Sequence, residues 1–99
     1  MVMFYVYLLE SLKNSSHYVG ATVDLRKRIR EHNQGLNLST KRCKPWKLIY
    51  YEACLNKSDA ARREKWLKST HGGRMLKARI REYLFDRSKD LTNRNSTTG

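Results

Sequence analysis

The stretch that most constrains the fold is MFYVYLLE, residues 3 to 10. Successive side chains of an extended chain point to opposite faces, so Tyr5, Tyr7 and Leu9 share one face and Phe4, Val6 and Leu8 the other. Both faces are apolar or aromatic, which predicts a strand covered on both sides. The turn-rich SLKNSS follows, and HYVGA at 17 to 21 reads as a returning strand, so the two form an antiparallel hairpin with a loop longer than the tightest turns. WKLIYYEA, from Trp46, is a third strand by its β-branched and aromatic content.

Helices fill the remainder. Thr22 or Asp24 can cap a helix that runs to about Asn33, with Gly35 as its stop. Residues 34 to 45 have no period and read as a basic surface loop closed by Pro45. Ser58 or Asp59 opens a second helix, SDAARREKWLKS, and HGG is expected to break it. The last helix is expected over about Arg74 to Phe85, with Met75, Ala78, Ile80 and Leu84 as an incomplete apolar face. From Arg87 the chain is polar and unpatterned, which predicts a disordered tail over 87–99 after a single domain over 1–86. The order β-β-α-β-α-α makes this an α+β chain: a small three-stranded antiparallel sheet flanked by helices.

Charge then selects the partner. Twenty-one Lys and Arg against nine Asp and Glu leave a formal net charge of +12. That excess points to a polyanion, and nucleic acid is the commonest. A membrane surface would call for a basic amphipathic helix or a lipidation signal, and neither is evident. The apolar start lacks a basic n-region and a small-residue cleavage site and is too short to span a bilayer, so a soluble, cytoplasmic protein is expected. Cys43 and Cys54 lie too far apart for a local metal-binding pair, and no spacing supports a zinc site that adds His17 or His71.

Two polar placements stand out. Arg28 and His32 fall on the same helical stripe as Leu25 and Ile29, because positions three and four apart share a face. Glu64 falls on a stripe with Ala60, Ala61 and Leu67, a lone acid in basic company. A buried charge needs a partner or a task, and the plain structural reading pairs Glu64 with Arg28 or with a helix neighbour. Together with Tyr7 and Tyr18 on the strands, these groups are what a single-metal phosphodiesterase needs. A carboxylate holds the metal, an arginine neutralises charge that grows in the transition state, and a hydroxyl or imidazole takes a proton from water.

YVY at 5 to 7, YVG at 18 to 20 and then ATVDLRKRIREHN together resemble the GIY-YIG nuclease signature, two strand motifs before a helix of the form L-x-x-R-x-x-x-H. Glu64 in AARREKWLK matches the acidic residue of a later helix in that family. The resemblance spans about residues 3 to 85 and is strongest to small stand-alone bacterial members, similar to the N-terminal domain of the excinuclease incision subunit. It implies Tyr7 as general base, Tyr18 as a positioning residue that shares that role, Arg28 as phosphate clamp, His32 as a helper to a tyrosine or phosphate, and Glu64 as the ligand of Mg²⁺ or Mn²⁺. Gly20 would let backbone approach the site closely. The chain departs from the pattern in having Tyr-Val-Tyr where Gly-Ile-Tyr is the namesake and no asparagine in the last expected helix, the late Asn93 and Asn95 falling in the expected tail.

The expected function is metal-dependent endonuclease cleavage of DNA, structure-specific and serving repair or recombination. Two alternatives remain open from sequence: a catalytically weak nucleic-acid-binding module of the same fold, and an interaction domain on a ribonucleoprotein. No small-molecule cofactor is expected, and the sequence leaves the oligomeric state and any protein partner undetermined.

Overall fold

The computed structural model describes the backbone of residues 1–96 and the side chains of residues 1–89. Strands β1 (Phe4–Ser11), β2 (His17–Thr22) and β3 (Trp46–Cys54) form one antiparallel sheet in the order β2-β1-β3. The strand with two apolar faces is thus the central one, where both sides can be covered. Helix α1 (Leu25–Asn33) follows β2, and α2 (Lys57–Leu67), α3 (Thr70–Arg79) and α4 (Arg81–Ser96) follow β3. The α+β reading holds, with one more helix than the sequence suggested.

Two cores result. Val6 and Leu8 of β1 pack with Ala60, Leu67 and Leu76 under α2 and α3. Tyr7 and Leu9 pack with Trp46, Leu25 and Ile29 under α1. A register shift of β3 opposite Leu8 and Leu9 pairs Leu8 with Tyr50 but Leu9 with Leu48. This bulge keeps Leu48 on the α1 face and sends Ile49 and Tyr50 to the other.

Caps set the helix starts. Asp24 Oδ1 accepts the Lys27 amide at 3.1 Å, as foreseen for α1. Asn56, not Ser58 or Asp59, caps α2 by accepting both of their amides. The HGG segment does not break a helix: Ser69 caps α3 and both glycines lie in its first turn. A Cβ on Gly72 would fall on the Trp66 carbonyl oxygen, so glycine here permits the close crossing of α2 and α3. Leu76 is the buried apolar side chain of α3, whereas Met75 and Ala78 are exposed: the helix expected over Arg74 to Phe85 is split at Ile80 into α3 and α4, so its residues do not form one continuous stripe.

Helix α4 continues through Ser96, and only residues 97–99 of the segment expected as a tail lie outside the described residues. Its docking point is Glu10, a carboxylate only 3% exposed at the end of β1. Tyr83 donates to Glu10 Oε1 at 2.9 Å, and Arg87 Nε and His17 Nε2 lie 3.3 and 3.0 Å from Oε2. Burial and the bond to Glu10 push the Tyr83 hydroxyl pKa above its ordinary value.

Candidate active site

Tyr7 reaches the α1 face from the centre of the sheet and is 2% exposed. It pairs across the strands with Gly20, and a Cβ there would land on the Tyr7 hydroxyl and lie 3.1 Å from Tyr18 Cε1. Gly20 therefore vacates the space that the Tyr7 ring occupies. Helix α1 supplies His32 from its last turn, fully buried, with Nε2 at 2.8 Å from the Tyr7 hydroxyl and Nδ1 at 2.7 Å from Thr40 Oγ1.

We assign the Nδ1–H tautomer to His32: Nδ1–H donates to Thr40 Oγ1, whose own proton can turn to the Asn37 carbonyl at 3.4 Å, and Nε2 accepts from the Tyr7 hydroxyl. Thr40 is itself 1% exposed, fixed by its own carbonyl, which accepts Trp46 Nε1–H at 2.9 Å. Asn33 ties the end of α1 to β3 by bonding both backbone groups of Trp46. Residues 34 to 45, expected as a surface loop, thus bury one residue of the site. No periodic signal singles out Thr40, because its role arises only when the loop folds back under α1.

Tyr18 stands edge-on to His32, with centroids 5.1 Å apart, and is half-buried. Arg28 is half-exposed, with Nε 3.7 Å from Glu31 Oε1. Its guanidinium acts on both buried groups. Burial first, and then Arg28, holds His32 below the usual imidazole pKa, while Glu31 opposes. Burial raises the Tyr7 hydroxyl far above the usual phenol value, the neighbouring Tyr18, Glu64 and Glu31 raise it further, and Arg28 pulls it down.

Glu64 approaches from α2, on the other side of the edge strand, near Ala21 and Thr22. Its side chain is 26% exposed and its ion pair is with Lys68, at 3.1 Å, not with Arg28. Of the two pairings left open by the sequence, the helix neighbour is the one formed. His32 thus meets both Tyr7 and Tyr18, and Arg28 and Glu64 act on Tyr7 through charge. Tyr5, on the strand face expected to be covered, is half-buried and meets Tyr51 edge to face at 5.9 Å.

A single carboxylate suits a magnesium-like ion, which keeps several waters and takes one or two carboxylates plus substrate phosphate. Among the described residues no group of three or more His, Cys, Asp or Glu forms a closed metal cage. The cation already drawn to Glu64, the Lys68 ammonium, indicates that the position accommodates positive charge. The donor set therefore fits a hydrated divalent ion. No helix among the described residues is long and apolar enough to cross a membrane.

The GIY-YIG catalytic domain profile matches residues 3–78. A UPF0213 protein of Clostridium perfringens is 43% identical over 67 residues, covering 67% of this chain and 71% of its own. Another, from Staphylococcus haemolyticus, is 37% identical over 78 residues, covering 78% and 94%. The solution NMR structure of a UPF0213 protein from Bacillus halodurans shares 33% identity over 77% of this chain and 83% of its own, with a TM-score of 0.49.

Proposed function

The chain belongs to the GIY-YIG catalytic-domain family, a family of nucleases generally dependent on divalent metal, and from that premise we propose that it is an endonuclease hydrolysing phosphodiester bonds in DNA with Mg²⁺ or Mn²⁺. The observation that carries the reading is the buried Tyr7–His32–Thr40 hydrogen-bond chain, flanked by the charges of Arg28 and Glu64.

Tyr7 is a poor base by itself, since burial holds its proton. The chain offers a route around this. As water gives a proton to the Tyr7 oxygen, the Tyr7 hydroxyl proton passes to His32 Nε2, so the phenol is never left as a free anion. His32 is kept neutral by burial and by Arg28, which leaves Nε2 available as the acceptor. Thr40 fixes the Nδ1–H tautomer that this transfer needs. The hydroxide formed attacks phosphorus, the phosphorus–oxygen ester bond breaks, solvent protonates the leaving oxygen, and His32, whose charged form burial disfavours, returns its proton through Tyr7 to solvent, which resets the chain. Arg28, half-exposed beside Tyr7, binds the phosphate and offsets its growing charge. Tyr18 positions the phosphate at the mouth.

Glu64 would hold the metal, which supplies Lewis-acid polarisation of the phosphate when bound. Nonspecific phosphate contacts come from the net +12 charge. We assign the choice of site to DNA structure, a branched or damaged substrate of repair or recombination, or to a partner protein, with the chain acting in the cytoplasm.

The test incubates labelled single-stranded, duplex and branched DNA with Mg²⁺, Mn²⁺ or chelator, beside Glu64→Ala, Tyr7→Phe and His32→Gln variants shown to be folded. Metal-dependent cleavage lost in Glu64→Ala and reduced at least about 100-fold, the lower range for a lost acid–base group, in the other two supports the reading. DNA binding without cleavage, equal for parent and Glu64→Ala, would leave a binding module instead.

A further inference from the structure

Lys68 was not among the residues that the sequence singled out, yet it touches two parts of the site. Its ammonium lies 3.1 Å from Glu64 Oε2 and 5.6 Å from the centroid of the Tyr18 ring. It is also the C-cap residue of α2, where the helix dipole favours a cation. We propose that Lys68 is the resident counter-ion of Glu64: it occupies the carboxylate in the metal-free chain and competes with the divalent ion for it. This rests on the reading of Glu64 as the metal ligand.

Three features support competition over a merely structural helix pair. Lys68 is 48% exposed and Glu64 26%, so the pair stands at a solvent-accessible mouth and can be opened without exposing core. Glu64 acts on the Tyr7 hydroxyl through charge, so the pair sits within the electrostatic reach of the buried chain. Release costs Lys68 little, because the Tyr18 ring face and the helix end both continue to attract its charge. There it stands beside the tyrosine assigned to position phosphate. The freed ammonium therefore becomes a second phosphate contact as the metal takes its place.

An exposed ion pair is worth little, so the competition is modest, about two- to fivefold in metal affinity. The experiment titrates Mn²⁺ into the intact chain and follows paramagnetic broadening of the backbone amides around Glu64 and Gly20, which reports weak binding without any substrate. Parent, Lys68→Met, Lys65→Met and Glu64→Gln are compared, each with its thermal melt. Lys65 removes the same charge from the same helix, but one residue on from Glu64 its side chain faces elsewhere.

The expected result is binding about two- to fivefold tighter in Lys68→Met, a smaller gain in Lys65→Met, and loss in Glu64→Gln. Unchanged or weaker binding in Lys68→Met, or an equal gain in Lys65→Met, overturns the counter-ion role while leaving Glu64 as metal ligand. Broadening absent from parent and Lys68→Met alike, or unaffected by Glu64→Gln, overturns the Glu64 metal site and the competition with it.

Discussion

Replacing Gly20 by alanine tests how tightly the central tyrosine is held. The new Cβ would land on the Tyr7 hydroxyl oxygen and within 2.5 Å of Tyr7 Cζ, where carbon atoms need about 3.5 Å. The ring must therefore withdraw by about 1 Å. The Tyr7–His32 bond is 2.8 Å, and such a shift carries it beyond hydrogen-bonding range. His32 cannot follow, because Thr40 holds its other nitrogen at 2.7 Å and the ring has no exposed surface. Leaving a buried acceptor unpaired costs about 1–3 kcal/mol, and overpacking adds about 1–3 kcal/mol. Partial relief brings the expected loss to about 2–4 kcal/mol, and each kcal/mol lowers Tm by about 4–8 °C in a domain of this size.

Urea unfolding followed by circular dichroism at pH 7.5 measures this loss in Gly20→Ala, in Tyr7→Leu and in the double variant. Tyr7→Leu removes the two Tyr7 atoms nearest the new Cβ and leaves only Tyr18 Cε1 at 3.1 Å, so the penalty for alanine should shrink by at least about 1 kcal/mol in that background. A Gly20→Ala chain within about 0.5 kcal/mol of the parent, or a penalty independent of residue 7, would refute the argument.

Three further outcomes follow from the same geometry. His32 is held neutral in the fold, so below its unfolded pKa of about 6.5 the unfolded chain binds more protons and stability falls with falling pH. The stability difference between parent and His32→Gln, measured by urea unfolding from pH 7.5 to 5.5, should therefore move against the parent as pH drops; a constant difference would contradict the neutral assignment. Gly72→Ala drives a Cβ onto the Trp66 carbonyl oxygen, backbone that cannot swing aside, and should lose about 2–3 kcal/mol. Gly73→Ala, whose nearest atom is 3.7 Å away, should be neutral or gain up to about 1 kcal/mol from helix propensity, and equal melts for the two would falsify the crossing argument. Glu10→Gln removes the charge shared by His17 and Arg87 and should loosen α4, costing about 1–3 kcal/mol and speeding limited proteolysis after Ile80. Unaltered cleavage in α4 would mean that Glu10 does not anchor it.

Local pattern carried much of this protein. The two apolar faces of residues 4 to 9 required a covered strand, and the structure puts that strand in the middle of the sheet. The hairpin, the Asp24 cap and the Arg28 and His32 stripe of α1 depend on neighbours within a few residues, which is the range over which helix and strand periodicity acts. Glu64 could be picked out because one acid among so many cations is conspicuous on a helix face.

Long-range contacts decided the rest. Whether Glu64 meets Arg28 or Lys68 depends on how α2 packs beside the edge strand, and the nearer partner on its own helix prevails. Thr40 enters the site because the loop after α1 turns back beneath His32 and buries a hydroxyl where an imidazole nitrogen needs one. Helix α4 docks against the sheet because a buried carboxylate on β1 recruits Tyr83 and Arg87, one helical turn apart, a pairing that no local pattern announces. A desolvated charge must be paired, and the residue that pairs it can stand anywhere in the chain. Periodicity reports which face a side chain occupies, and only the assembled structure supplies its partner.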